Sequence, residues 1–359
     1  MDIRRHLIGG LLAGAVIAPA MVKADAPAPK WYDKLTLGGY AAADYEFWLN
    51  QPSSTANVPG RAFDILPNAF DYTGELTLAY ADTASGTSAN IDMLYGSIGN
   101  IINAYGEGPT LGQAYLSQAW GPLTLDLGKF ATPVGYETWN VTANANFSRS
   151  LTYNLEPLFS VGAKLDYAGP GGFGANLWVD NGVNVDPYNS GITDNGKGLG
   201  VALSYSGIKN LALNAQYYHD DSTLIAADKS QDWIDVNAAY TLSDSLSFAA
   251  EYLYWTIISG NTGVLSSKIN SAALYATYVT PVKNLTVSGR VEQENAPDNG
   301  IGNPRTIDSY TLTAKYAMGP VTDILEYRSD ATNTYTFATS NGTPTQTDQT
   351  LTVAATYGF

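Results

Sequence analysis

The sequence predicts an all-β fold: a transmembrane, antiparallel, up-and-down β-barrel of about 16 strands, with long extracellular loops and short periplasmic turns. Three observations carry this. The final stretch Thr350–Phe359 alternates strictly, with Leu351, Val353, Ala355, Tyr357 and Phe359 on one face and Thr350, Thr352, Ala354, Thr356 and Gly358 on the other. That is the period of a strand with one apolar and one polar side. The same alternation recurs along most of the chain. Finally, Tyr80, Trp120, Tyr167, Tyr205, Tyr240, Tyr278, Tyr316 and Tyr357 each precede a short turn or the chain end at intervals of about 35 to 47 residues, the placing of an interfacial aromatic girdle. A terminal strand needs a partner on both edges, and pairing it with the first strand leaves no edge open, which is compulsory in lipid.

Taken in order, the chain begins with Arg4 and Arg5, an apolar run Leu7–Met21 and small residues at Val22 and Ala24. This reads as a secretory signal over residues 1–24 that is cleaved after Ala24, with the barrel over 25–359. Cleavage leaves 335 residues carrying 15 bases and 32 acids, an acidic balance that argues against nucleic acid as a partner. No later window is apolar for eighteen residues, so helical spans are not expected. The absence of cysteine excludes disulfides and thiolate metal sites.

A first strand is expected from Lys34 to about Trp48, then a polar connection Gln51–Asn68, then a return through Glu75–Tyr80 and a turn at Thr83–Ser88. The other short turns fall at Gly121-Pro122, Gly169–Gly172, Gly207–Asn210, Ser243–Ser245, Pro281–Asn284 and Gly319-Pro320. Eight hairpins follow. The outward sets include Phe159, Val161, Ala163, Leu165 and Tyr167, then Leu199, Val201, Leu203 and Tyr205, then Tyr310, Leu312, Ala314 and Tyr316; the residues between are polar or small. Polar inside and apolar outside is the reverse of a soluble barrel. Lys129 and Asp323 break phase near strand ends, and the phase is ambiguous over Asn90–Gly99 and Leu111–Trp120. A propeller of similar period would need four strands per repeat and a recurrent blade mark, which are missing.

The longest run without alternation is 131–154. It is either an external cap or a constriction loop folded into the lumen, and Trp139, Phe147 and Tyr153, poorly placed in bulk water, favour the second. About sixteen strands leave an aqueous channel where eight would fill with side chains. Catalysis has little to work with. Apart from His6, the only histidine is His219, expected at a loop tip beside Asp220 and Asp221; Gly-x-Ser-x-Gly and His-x-x-x-His are both missing. The acidic stretches Asp180–Asp194 and Asp220-Asp221 match no dedicated calcium loop. No catalytic residue, metal or cofactor is therefore expected.

The run Gly128-Lys129-Phe130-Ala131-Thr132-Pro133-Val134-Gly135-Tyr136-Glu137, with Asn146-Phe147-Ser148-Arg149-Ser150 and Val161-Gly162-Ala163 downstream, resembles the OmpL-like β-barrel porin family of Gram-negative outer membranes. The resemblance implies a water-filled channel for passive diffusion of small hydrophilic solutes. Its pore-lining candidates are Asp126, Lys164, Asp166, Glu251, Arg290, Glu292, Lys315, Glu326 and Arg328, with Glu75 and Asp235, and with Glu137 and Arg149 on the constriction. Acids outnumber bases among those on strands, which predicts a mild cation preference. The expected partners are outer-membrane lipid and lipopolysaccharide, small solutes, and the barrel-assembly machinery through the strand ending at Phe359. The rival expectation is a structural or adhesive barrel with a plugged lumen that binds a partner through its loops. The sequence leaves the oligomeric state open.

Overall fold

The computed structural model describes residues 30–50, 61, 63, 66–102, 109–185, 196–221, 229–259, 265–297, 305–334, 337–339 and 341–359; the segment 1–24, expected to be a secretory signal, lies outside them. Sixteen antiparallel strands close into one barrel. They are β1 Leu35–Trp48, β2 Phe70–Asp82, β3 Thr87–Gly96, β4 Thr110–Trp120, β5 Leu123–Ala131, β6 Phe159–Ala168, β7 Phe173–Asp180 and β8 Gly198–Tyr205. They continue with β9 Leu211–Asp220, β10 Lys229–Thr241, β11 Leu246–Ser259, β12 Leu265–Val279, β13 Leu285–Ala296, β14 Arg305–Met318, β15 Val321–Thr332 and β16 Thr347–Gly358. A single-turn-and-a-half helix, α1 Ser97–Ile102, follows β3, and a two-residue hairpin pairs Phe337–Ala338 with Pro344–Thr345. No described helix is long and apolar enough to cross a membrane.

Each strand pairs with its sequence neighbour, and β16 closes the seam on β1 in the register Tyr40↔Gly358 to Trp48↔Thr350. At the rim of the seam the Gly39 amide donates to the Phe359 carbonyl and the Phe359 amide to the Gly39 carbonyl, both at 3.1 Å. The apolar face of β16 is outermost, with Val353 49% exposed, while Thr350 and Thr352 are buried inside. The same division holds around the wall: Leu37, Leu116, Leu177, Leu274 and Leu312 are exposed, and Ser271, Ser309 and Thr313 are fully buried. Large exposed apolar side chains on one continuous face are what a lipid contact surface requires. Of the girdle aromatics, Trp120, Tyr167, Tyr205, Tyr240, Tyr278, Tyr316 and Tyr357 are exposed at the short-turn end. Asn210 and Asn284 turn those corners at positive φ, which asparagine tolerates.

Three sequence expectations shift. The ambiguous phase in β4 has a cause: Asp92 pairs with Gln113 but Met93 with Leu111, so Gly112 is an extra residue in a bulge. Leu111 and Leu116, an odd interval apart, can thus both face out. His219 is not at a loop tip; β9 extends through Asp220, and the imidazole Nδ1 lies 2.9 Å from Asp232 Oδ1 on the neighbouring strand. It sits on the face that carries exposed Tyr217 and Ile234, away from the lumen. Phe159, expected to face outward with Val161, is buried in a cluster with Leu94, Trp139 and Tyr153, because the chain has only just left the lumen when β6 begins.

The lipid-facing assignment is testable at mid-strand. Leu312→Arg in β14 should cost roughly 2 to 4 kcal/mol of folding free energy in lipid bilayers, whereas Thr311→Ser on the inner face should change little; urea titration of folding into liposomes reads both.

Candidate functional site: a loop laid across the lumen

The connection from β5 to β6, residues 132–158, passes inside the barrel. Its local shape follows from its composition. Gly135 turns the chain at φ +101°, and a Cβ there would fall within 1.9 Å of the Glu156 carboxylate. Short polar side chains then replace regular structure: Thr138 N donates to Asn144 Oδ1 at 2.9 Å, Thr142 N to Asn140 Oδ1 at 2.9 Å, and Tyr153 N to Ser150 Oγ at 2.9 Å. Peptide groups left over are satisfied by the wall, as buried backbone must be.

The wall supplies those partners largely through charged side chains. Tyr136 N donates to Glu251 Oε1 at 2.6 Å, Leu151 N to Glu292 Oε1 at 2.6 Å, and Phe147 N and Ser148 N to the two oxygens of Glu326 at 2.6 and 2.9 Å. In the opposite sense, Lys315 Nζ donates to Asn144 O at 2.6 Å, Arg290 Nη1 to Ser148 O at 2.7 Å, and Arg328 Nη1 to Arg149 O at 2.7 Å. Trp139 Nε1 reaches Glu75 Oε1 at 3.2 Å, and Tyr40 Oη donates to Trp139 O at 3.2 Å. Arg290 is the hub. Its guanidinium pairs with Glu137 of the loop at 2.9 Å and Glu292 of its own strand at 2.6 Å, and Arg328 pairs with Asp330 at 2.9 Å. Charge-assisted bonds of this length are about twice as strong as neutral ones.

Under the other end of the loop the contact is apolar. Trp178, Tyr218, Trp233 and Trp255 form a row across β7, β9, β10 and β11, with ring centroids 5.5–5.7 Å apart. The row can cross β8 because Gly200 there leaves room for the Trp178 ring. Val134 and Leu155 of the loop pack on this cluster, and Trp233 Nε1 donates to Leu155 O at 2.9 Å. Trp178, Tyr218 and Trp233 are thereby buried, and Trp255 is partly so.

Of the candidate residues, Glu137, Arg149, Glu251, Arg290, Glu292, Lys315, Glu326 and Arg328 thus converge on the loop. Asp126, Lys164 and Asp166 form a separate cluster nearer the short turns, with Lys164 Nζ 3.1 Å from Asp126 and 3.2 Å from Asp166. Asp235 accepts from Asn237 Nδ2 at 2.9 Å on the inner wall of β10. One participant has no sequence signal beyond being a lone base in a polar connection: Arg61, buried in the lumen, bonds Asp330 at 2.8 Å and Thr350 at 3.1 Å and stacks over Trp48 at 5.3 Å. Among the described residues no group of acids or histidines is arranged to hold a metal ion.

Glu156 ends the loop. Burial first, then the charges of Glu251, Asp235 and Glu137, push its carboxyl well above the ordinary glutamate range.

A closed sheet whose charged side chains face inward, crossed by a loop of its own chain, defines the class of outer-membrane porins of Gram-negative bacteria, and comparison with known proteins agrees. The chain belongs to the beta-barrel porin-2, OmpL-like family, whose profile matches residues 34–359. No curated protein sequence matches it. Among solved structures it is similar to an anion-selective porin from Comamonas acidovorans (13% identity, 90% of this chain and 99% of that one, TM-score 0.65). It is also similar to OmpT of Vibrio cholerae (11%, 95% and 100%, 0.62) and to the outer-membrane channel DcaP of Acinetobacter baumannii (13%, 90% and 97%, 0.59). At these identities the likeness is one of fold.

Two outcomes follow from the latch. Arg290→Ala strands Glu137 and Glu292 without their cation and should cost roughly 3 to 5 kcal/mol, read as earlier thermal unfolding in detergent; Arg290→Ala with Glu137→Gln and Glu292→Gln should recover part of the loss. For Glu156, a folded pKa above the unfolded one means that its contribution is fully present below the ordinary value of about 4.3 and is lost as pH rises through the raised value. Glu156→Gln should therefore flatten the decline of stability from acid toward neutral pH.

Proposed function

We propose that the chain is a diffusion porin in which loop 132–158 narrows the lumen and restricts passage to small hydrophilic solutes. The single observation that carries the reading is the latch. Loop backbone meets wall side chains of β11, β13, β14 and β15, and the Trp139 side chain meets Glu75 of β2, so the loop is held at a set position rather than swinging free. A fixed obstacle in a water-filled cylinder gives a steady size limit; solutes shed little hydration in passing and move down their gradients.

The charge of the interior supports a mild cation preference. Fifteen acids and five bases are buried among the described residues, an excess of acid that favours a negative field inside. The placement of His219 on the outer face, paired with Asp232, supports a channel without catalytic chemistry. The apolar belt fits outer-membrane lipid, with lipopolysaccharide in the outer leaflet, and the strand ending at Phe359 fits recognition by the barrel-assembly machinery.

In planar bilayers the protein should give steady ohmic steps, and replacing residues 138–148 by a short Gly-Ser link should raise the unit conductance severalfold. Silence from a folded, heat-modifiable preparation would favour the plugged, adhesive barrel instead. Reversal potentials in a salt gradient should show cations preferred, and an anion-selective channel would sink that part of the proposal.

A further inference from the structure

The two ends of loop 132–158 meet at one cluster of carboxyls on the inner wall of β10 and β11. Glu251 of β11 accepts from Tyr136 N, at the start of the loop, at 2.6 Å, and it is hydrogen-bonded to the Glu156 carboxyl at the end of the loop. Asp235 of β10 is hydrogen-bonded to Glu251 in turn. Glu156 also lies against the backbone of Gly135, where any side chain would collide with its carboxyl, so these groups close the neck of the loop. All three are buried. Further along the loop Glu137 and Glu292 share a cation, Arg290. At the neck, among the described residues, no lysine or arginine is hydrogen-bonded or ion-paired to Glu156, Glu251 or Asp235. The other titratable groups that face the cluster are Glu137, Tyr136 and Tyr153 of the loop and Tyr275 of β12.

An ionised carboxylate can only accept hydrogen bonds. Two carboxyls in contact therefore hold a proton between them, and burial without a cation favours that state. Removing the proton leaves like charges side by side in a setting of low dielectric, where they repel several times more strongly than in water. We propose that the Glu156, Glu251 and Asp235 cluster is a proton-operated clasp on the constriction loop: protonated, it keeps the neck closed, and ionised, it drives the loop ends off the wall and widens the channel. The closed neck is thus the acid form, and opening accompanies rising pH. Val134 and Leu155 flank the neck and rest on the aromatic row, with Trp233 Nε1 donating to Leu155 O at 2.9 Å; release lifts them from that row. Arg290 and Arg328 still hold the far part of the loop through the carbonyls of Ser148 and Arg149. The effect on conductance deepens the porin reading and rests on it; the movement of the neck does not.

The test follows the full-length barrel from about pH 5 to about pH 9, a range that spans the values known for buried glutamates. In planar bilayers the unit conductance should rise with pH. Glu156→Gln, whose amide donates to Glu251 without a proton to lose, should remove the rise. A second measurement needs no conduction. The chain has no cysteine, so Val134→Cys puts a single thiol at the neck, at a position 4% exposed while the loop is seated. In detergent, its rate of modification by a water-soluble maleimide is divided by the rate in the same chain carrying Glu156→Gln, which cancels the titration of the thiol itself. That ratio should climb roughly tenfold or more across the range, since one linked proton changes an opening equilibrium up to about tenfold per pH unit. Heat-modifiability confirms folding, and Glu251→Gln, which keeps the acceptor for Tyr136 N and supplies a donor to Glu156, replaces Glu156→Gln if that variant does not fold. A flat ratio overturns the clasp, whether or not the barrel conducts. A conductance that rises equally in the glutamine variant, or that stays constant while the ratio climbs, overturns its control of the channel. A climbing ratio in a barrel that never conducts keeps the clasp and overturns the porin.

Discussion

In hydrocarbon a peptide N–H or C=O has no water to fall back on, and each one left unpaired costs several kcal/mol. Every other feature of this molecule answers to that constraint. It forces the first and last strands together, so the reciprocal hydrogen bonds between Gly39 and Phe359 at the seam are as necessary as those within any hairpin. It permits the wall to be apolar only outward, where Val353 and Leu312 meet lipid, and it frees the inner face to carry charge. A single sheet closed on itself has no second layer to pack against, so its interior must be filled with water or with chain.

Here it is filled in part with chain, and the way that chain is held differs from a hydrophobic core. Loop 132–158 rests on the aromatic row at one end, but elsewhere its peptides bond to carboxyl groups of the wall. Burying Glu292, Glu326 and Arg290 carries a desolvation cost that is offset only because each is paired several times over, with opposite charges, backbone amides or carbonyls. The geometry is directional, which apolar packing is not. It sets the loop in one place and so leaves a cavity on the β1–β2–β16 side, lined by Glu46, Thr73, Arg149 and Thr352.

Much of the wall could be read from the chain because alternation is a property of neighbours. Whether Leu312 points out and Thr313 in is decided by a period of two and requires no knowledge of the partner strand. The reading faltered where a local irregularity intervened. The bulge at Gly112 slips the phase of β4, and a glycine in isolation does not announce a bulge. His219 read as a loop because the acids after it resemble turn residues, yet pairing with β10 carries the strand through Asp220. Arg61 could not be singled out, since a lone base in a polar connection has no periodicity to place it.

The sequence by itself determined the class of fold, the sidedness of turns and loops, most of the lipid-facing residues and the stretch that departs from the wall, all of them consequences of short-range pattern. Only the tertiary structure decided what that stretch meets. Ser148 and Glu326 are 178 residues apart, and Leu151 and Glu292 are 141. Such contacts depend on the diameter at which sixteen strands close and on the curvature that brings distant walls to one loop. That is a property of the whole sheet and of no segment within it.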